Sequence, residues 1–538
     1  IEQSPIAELP HLLMSDASIN MVQSGGFGQQ ASIFTRGTNS THTLILRDGI
    51  RLNGASAGIA SLAFLDTTDL KQIEILKGPA SVLYGTDAIG GVVQLISKTP
   101  EKNAAFVTAE IAENQTYKTV IGADLIENGI YAQLRGQRLE TDGTQVTNAA
   151  NAEKANFDQK GYSAKLGIDR EQYSASADYY TNEGFSHYDS YGNLISQDFK
   201  NESINLKGRY QFNDSIELHT RLSQFKDQIQ QNDKPDYVKN NTQEAEIYSQ
   251  WHINAKHNLL AGMSHKDSHS DVFSQGEGYE WAGVYYPGED VFYDKHVRSN
   301  GYFLQHQYQT QQINTQLGLR VEDHQLFGSH TVGQAAARYK FTPSTSVYSN
   351  IGTAFRAPTS NDLYALSWGA NPELEPEESV SYELGLDHQF NPNVKAGFSL
   401  YRNEVSDLIT YTDQLNNVDK ATFTGGELNL NWQRDALFLN LSYAYVEAEN
   451  AKTKTQLNRR PRHSATLTTG WQNEQYGINT AISAKSDSRD FADSAQTGPT
   501  RNPGYATIDL NAYWNVNPHV KLFTNIQNIG DVEYKTTS

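Results

Sequence analysis

The feature that most constrains this chain is a two-residue hydrophobic period that keeps returning from about position 104 onward. In 437–445, Leu437, Leu439, Leu441, Tyr443 and Tyr445 fall on one face. In 382–390 the face is Tyr382, Leu384, Leu386, His388 and Phe390. Ala506, Ile508, Leu510, Ala512, Trp514 and Val516 repeat it, opposite Thr507, Asp509, Asn511 and Asn515. Val394, Ala396, Phe398 and Leu400 likewise oppose Lys395, Gly397, Ser399 and Tyr401. Successive side chains of a strand point to opposite sides, so each run is a strand with two unlike faces. Alternation sustained over roughly eight to ten residues suits a strand tilted through a bilayer better than a typical soluble one.

The connections narrow the choice. Short polar turns recur near 127–129, 169–172, 212–215, 254–258, 309–312, 341–345, 390–393, 433–435, 472–475 and 515–519. Longer segments, such as 139–160, 267–298 and 356–379, lie between them. Short turns at one end and long loops at the other define an outer-membrane barrel. About ten turns, with one further strand at each end, predict an all-β transmembrane barrel of roughly 22 antiparallel strands. The chain stops at Ser538, just after a loop-like segment. The last strand is therefore expected beyond it, because an unpaired edge is not viable in lipid.

The first hundred or so residues read differently. They hold short apolar runs at 43–46 and 73–76 and many glycines, among them Gly25, Gly26, Gly28, Gly37, Gly49 and Gly54. The stretch 83–97 ends them with a Gly-Gly pair and an apolar strand at 92–96. This predicts an α/β globule over residues 1–102, followed by the barrel over 103–538. A lumen of roughly 22 strands is wide enough to need a plug, and the globule is the natural candidate. Composition agrees. No run of about 18 apolar residues exists, so no transmembrane helix is expected. Mean hydropathy is that of a soluble chain, as it is for barrels with polar lumens and loops. Thirty tyrosines fit aromatic girdles at the headgroups. A net charge of −19 argues against nucleic acid. With no cysteine, thiol chemistry is excluded.

Specific motifs then carry a resemblance. Ser32-Ile33-Phe34-Thr35-Arg36-Gly37-Thr38-Asn39, Leu44-Ile45-Leu46-Arg47-Asp48-Gly49-Ile50-Arg51-Leu52-Asn53 and Ile73-Glu74-Ile75-Leu76-Lys77-Gly78-Pro79 resemble the plug of TonB-dependent receptors. So does Leu83-Tyr84-Gly85-Thr86-Asp87-Ala88-Ile89-Gly90-Gly91-Val92-Val93. Ala354-Phe355-Arg356-Ala357-Pro358, Asn371-Pro372-Glu373-Leu374-Glu375-Pro376-Glu377 and Asn525-Ile526-Gln527-Asn528-Ile529 match the barrel pattern of that family. Within it, Gly25-Gly26-Phe27-Gly28-Gln29 and Tyr401-Arg402-Asn403-Glu404-Val405 look most like the branch that imports cobalamin (vitamin B12).

The resemblance implies a bacterial outer-membrane transporter, not an enzyme. It implies TonB and its inner-membrane energising complex as partners, with a TonB-binding segment ahead of Ile1. It implies cobalamin as cargo, and a monomer surrounded by lipid and lipopolysaccharide. Substrate contacts are implied at two apical plug stretches. One is Gln29, Gln30, Ala31 and Ser32; the other is Asn53, Gly54, Ala55, Ser56, Ala57, Gly58 and Ile59. Small and amide-bearing residues suit a large ligand that carries its own amides. Arg36, Arg51 and Lys77 are expected to pair with barrel carboxylates around 373–378.

One departure bears on cofactors. The branch binds calcium through a loop aspartate cluster. Here Gln197-Asp198-Phe199-Lys200-Asn201-Glu202 stands in its place, with Asp189, Asp227, Asp233 and Asp236 nearby. A hard cation wants six or more oxygens and Lys200 is unhelpful, so no calcium site and no cofactor is assigned. His265, His269 and Asp271 would share a strand face and could chelate a transition metal, although a polar strand end is the plainer reading. The basic run Arg459-Arg460-Pro461-Arg462-His463 could touch lipopolysaccharide phosphate or be an ordinary charged loop. Gly26-Phe27-Gly28 lacks the βαβ context of a nucleotide fingerprint. The competing readings are an importer of an iron–siderophore or haem, a receptor for adhesion or phage without transport, and a soluble propeller. No blade repeat of about 40 residues supports the last.

Overall fold

The computed structural model describes residues 8–146, 153–190, 193–281, 284–411, 414–490 and 500–537. Among these described residues, twenty-one barrel strands follow one another in chain order, from Ala104–Ala112 to Val520–Ile526, each antiparallel to its predecessor. All the short turns expected from the sequence join neighbouring strands at one rim; Thr116–Glu127 and Ile130–Thr141 meet at 128–129, for example. The long connections lie at the other rim. Residues 147–152 and 282–283, within two of the expected long segments, fall outside the described residues.

The sheet curls so that Val520–Ile526 neighbours Ala104–Ala112. Strictly alternating directions bring the first and last of 21 strands into the same sense.

Outward residues form the lipid face. Tyr382, Leu384 and Leu386 are 49%, 55% and 41% exposed, whereas Ser379 and Ser381 face the lumen and are buried. Aromatic pairs mark the short-turn rim: Tyr210 with Phe212, Tyr339 with Phe341, and His388 with Phe390 each pack edge to face. Several strands are far longer than the alternation suggested. Tyr173–Ser190 has 18 residues, Asn193–Asn213 has 21 and Val291–Gln309 has 19, where about 9–11 cross a bilayer. Their surplus rises past the lipid. On Asn193–Asn213 the outward face runs from Leu206 and Ile204 to Glu202, Lys200 and Asp198. The outward face is polar there and the lumen face mixes Phe199 with Asn201 and Ser203, so hydrophobic alternation does not reveal the strand.

The lumen holds the plug. Its core is a four-stranded sheet in the order Ile50–Arg51, Thr43–Arg47, Gly91–Ser97, Leu70–Lys77, with the central pair parallel. A separate hairpin pairs Ile19–Gln23 with Ala31–Thr35. The two α-helices among the described plug residues, Leu9–Leu13 and Ser81–Tyr84, are only 5 and 4 residues long. Leu9, Leu13, Ile19, Ile45, Leu52, Leu70, Val93 and Leu95 form one buried cluster between sheet, hairpin and helix. Glycine is required at Gly91: its φ is +151°, and a Cβ would stand 2.3 Å from the Leu76 carbonyl oxygen.

Candidate functional site

The plug apex is built from two loops. The first, 53–59, is closed by its own backbone: the Gly54 amide donates to the Ile59 carbonyl (2.9 Å) and the Gly58 amide to the Gly54 carbonyl (2.8 Å). Asn53 is the pin of this turn. Its Oδ1 accepts from the Ile45 amide at 2.8 Å, and its Nδ2 donates to the carbonyls of Thr43 (3.1 Å) and Gly58 (3.0 Å). A side chain so engaged, and 4% exposed, shapes the loop from within. Against the barrel wall, the Ser56 amide donates to Asn240 Oδ1 (2.9 Å) and Ser61 Oγ to Asp227 Oδ2 (3.1 Å). Gly54 and Ser56 are buried, while Ala55, Ala57, Gly58 and Ile59 keep partial exposure.

A barrel loop covers this turn. Residues 357–376 begin with a short helix, Ser360–Tyr364, capped by Thr359: the Asp362 amide donates to Thr359 Oγ1 (3.2 Å), and the Thr359 amide to Asp362 Oδ2 (2.9 Å). The first amides of a helix have no partner within it. Here they take plug carbonyls: Ser360 donates to Ala55 (3.3 Å) and Asn361 to Ser56 (2.8 Å). Arg356 ties the loop base to both Asp362 and Glu377.

The second apical stretch lies by the barrel's aromatic interior. Gln29 is buried, its Nε2 donating to the His187 carbonyl at 2.7 Å. Ala31 and Ser32 belong to the hairpin strand Ala31–Thr35, and Ala31 is buried; Gln30 is the exposed member of the stretch. Phe27, Phe157, Phe199 and Phe64 stack in series at 6.3, 5.7 and 4.2 Å, plug residues at the ends and barrel residues between. This ladder joins the two apical stretches and carries no sequence motif. The only hint of it is that Phe157 and Phe199 sit at lumen-facing positions of polar strands.

Below the apex, buried charges lock the plug in register. Arg36, at φ +51°, reaches Glu427 with Nε (2.8 Å) and Glu383 with Nη2 (2.9 Å), and lies 4.2 Å over the Tyr401 ring. Burial alone would lower the Arg36 pKa; the Glu427 and Glu383 carboxylates outweigh it and hold the guanidinium charged well above its usual range. Lys77 joins Glu427 (3.0 Å) to Asp16 (2.9 Å). His42 Nε2 meets Glu377 Oε2 at 2.8 Å, both side chains fully buried. Arg460 donates to the Gly37 carbonyl (3.0 Å) and Asn39 Oδ1 (2.6 Å).

These partners correct the sequence reading. Arg36 and Lys77 do pair with barrel carboxylates, but with Glu383 and Glu427 rather than the 373–378 stretch. Among the described residues of that stretch, Glu377 holds the plug, through His42; Glu378, one residue on, points outward. Arg51 pairs within the plug, with Asp87 at 2.9 Å, and reaches Glu244 only at 3.7 Å.

Among the described residues the acidic residues near 198 do not gather into a three-ligand group. Asp233 accepts from the Ser196 amide (3.1 Å), Asp236 from the Gln275 amide (2.9 Å), and Asp227 faces the plug. On the outer wall His265, His269 and Asp271 do share a face, but His265 bonds Asn300 (2.8 Å) and Asp271 accepts from the Tyr237 hydroxyl (3.0 Å).

Comparison with known proteins fits this architecture. The sequence model described as "TonB dependent receptor-like, beta-barrel" matches residues 129–529, and "TonB-dependent Receptor Plug Domain" matches 1–92. A protein named vitamin B12 transporter BtuB, from Photobacterium profundum, is 28% identical over 537 residues, covering 95% of this chain and 84% of that protein. The siderophore receptor PirA of Acinetobacter baumannii superimposes with a TM-score of 0.80 at 17% identity, over 98% of this chain and 93% of that one. The FrpB iron transporter of Neisseria meningitidis does so with a TM-score of 0.84 at 12% identity, over 99% and 93%. A barrel filled by its own N-terminal domain, with both parts matched in order along the chain, belongs to the TonB-dependent receptors of the bacterial outer membrane.

Proposed function

We propose that this receptor imports cobalamin. Its family comprises TonB-dependent transporters and receptors, not enzymes. The observation that carries the cargo assignment is the likeness, along nearly the whole chain, to a protein named as a vitamin B12 transporter. The apex agrees in kind. It offers a turn of small residues, Gly54 to Gly58, and an exposed amide at Gln30. A large amide-bearing ligand can approach such a backbone closely.

In this reading the loop 357–376 competes with the cargo. Its helix amides occupy the carbonyls of Ala55 and Ser56, so cargo reaches the apex only when the loop lifts. A ligand shifts only an equilibrium between states it distinguishes, and the lifted state is the one with apex groups to offer. TonB then draws on the plug's N-terminal segment. In this reading capture proceeds without calcium: Asp233 and Asp236 accept from backbone amides, and Asp227 from the plug hydroxyl of Ser61.

The test is uptake. A cobalamin-requiring cell lacking its own outer-membrane importer should grow on nanomolar cobalamin when it expresses the full-length receptor, and only if TonB is present. Growth without TonB would remove the energised mechanism. No growth, with ferric chelate uptake instead, would favour the competing reading, an importer of an iron–siderophore or haem; two structural neighbours are named a siderophore receptor and an iron transporter.

A further inference from the structure

The geometry points to a site for a divalent transition-metal ion on the outer wall of the barrel, formed by His269, His296 and Asp294. The antiparallel register of His257–Ser274 and Val291–Gln309 sets His269 directly opposite His296. The two imidazoles stack at 4.1 Å with 10° between their planes. Asp294 Oδ1 lies 2.6 Å from His269 Nε2. One ligand atom from each of the three lies within 4.8 Å of the others. Small rotations of these solvent-facing side chains bring such atoms to the roughly 2.0–2.2 Å that Zn²⁺ takes from imidazole and carboxylate.

The surroundings favour a metal over a plain polar patch. Asp267 Oδ1 sits 3.3 Å from His296 Nδ1, and Arg298 Nε holds the other Asp267 oxygen at 2.9 Å. A carboxylate that accepts from Nδ1 fixes the tautomer in which Nε2 presents its lone pair outward. It is the usual orienting partner of a metal-bound histidine. Two imidazoles and one carboxylate select borderline ions such as Zn²⁺, Cu²⁺ or Ni²⁺ over Ca²⁺ or Mg²⁺, which want oxygen. The cluster stands on the outward face beyond Met263 and Tyr302, toward the long-loop rim, away from the plug and the cargo path. Its fourth position opens to the outside, free for water or an external anionic ligand.

The sequence grouping of His265, His269 and Asp271 is thereby redrawn. Of those three only His269 is a ligand, and the other two ligands come from the facing strand.

The test uses full-length, tag-free receptor in detergent. Co²⁺ should give a visible ligand-field spectrum that Zn²⁺ abolishes at one equivalent. His296→Ala and His269→Ala should each remove it. Asp267→Asn, which touches no metal, should weaken Zn²⁺ binding about tenfold to a hundredfold by releasing the tautomer. His265→Ala, on the same face, should leave binding unchanged. Heat-modifiable gel mobility confirms a folded barrel in each variant. Absence of a Co²⁺ spectrum in the parent receptor, or binding that survives both His269→Ala and His296→Ala, would overturn the proposal. So would equal loss in His265→Ala, which would mark nonspecific binding to surface histidines.

Discussion

Replacing Arg36 by alanine tests the claim that buried charge pairs hold the plug in register. Arg36 bonds Glu383 and Glu427 together, all three side chains buried or nearly so. Removing it leaves two carboxylates in a low-dielectric lumen. Breaking a buried pair from one side costs about 3–5 kcal/mol, because the remaining charge stays uncompensated. Lys77 still lies 3.0 Å from Glu427, which places the cost at the lower end, about 3 kcal/mol. At about 1.4 kcal/mol per factor of ten, the undocked-plug population rises about a hundredfold. With a urea slope of about 2 kcal/mol per molar, the plug-release midpoint falls by about 1.5 M. Planar-bilayer conductance read against urea measures this directly, since each released plug opens a pore. Arg36→Ala combined with Glu383→Gln should recover part of the loss, because one stranded charge is neutralised. A midpoint for Arg36→Ala within about 0.3 M of the parent would refute the reasoning.

Three further outcomes follow. Cysteines placed at Ala55 and Ser360, in a chain with none of its own, should form a disulfide that blocks cargo uptake until reduced, because the Ser360 amide lies 3.3 Å from the Ala55 carbonyl; uptake unaffected by oxidation would show that the loop need not lift. Gly28→Ala should destabilise the apex by about 1–3 kcal/mol and weaken cargo binding, since φ is +74° and the new Cβ would stand 2.4 Å from Phe157 Cδ2; a thermal midpoint equal to the parent's would contradict this. Burial pushes the Glu8 carboxyl up from 4.5 to about 7, with the Gln23 hydrogen bond and His11 pulling the other way. A carboxyl raised on docking favours the docked segment fully below about pH 4.5 and loses that contribution as pH rises through about 7. Hydrogen-exchange protection of Leu9–Leu13 should accordingly fall between pH 6 and pH 8, and Glu8→Gln should remove the dependence; the same slope in both proteins would refute it.

The turns and the lipid face were legible because burial on one side and lipid on the other write themselves into a two-residue period. Tyr382, Leu384 and Leu386 show it. The reach of the long strands was not legible, because around 198–202 the strand Asn193–Asn213 is polar outward and mixed inward, which leaves no hydrophobic rhythm. The kind of plug anchor could be foreseen, since Arg36 and Lys77 sit in a domain that must be gripped. Its partners could not: inward or outward orientation alternates residue by residue, so Glu377 is buried while Glu378 faces out. The cover over 53–59 left no trace in composition, because it works through the backbone of Ala55, Ser56, Ser360 and Asn361. Asn53 reads as a ligand amide in the chain and stands in the structure as the turn's own pin. The outer-wall cluster joins His269 to Asp294, 25 positions away, which only strand register brings together.

The cargo assignment is tested most directly by equilibrium binding of cyanocobalamin to the full-length receptor in detergent, with and without a calcium chelator. The account predicts nanomolar binding that the chelator leaves unchanged. Binding abolished by the chelator would show that the acidic residues near 198 assemble a calcium site and contradict the calcium-free capture. No binding in either buffer would contradict the cobalamin assignment itself.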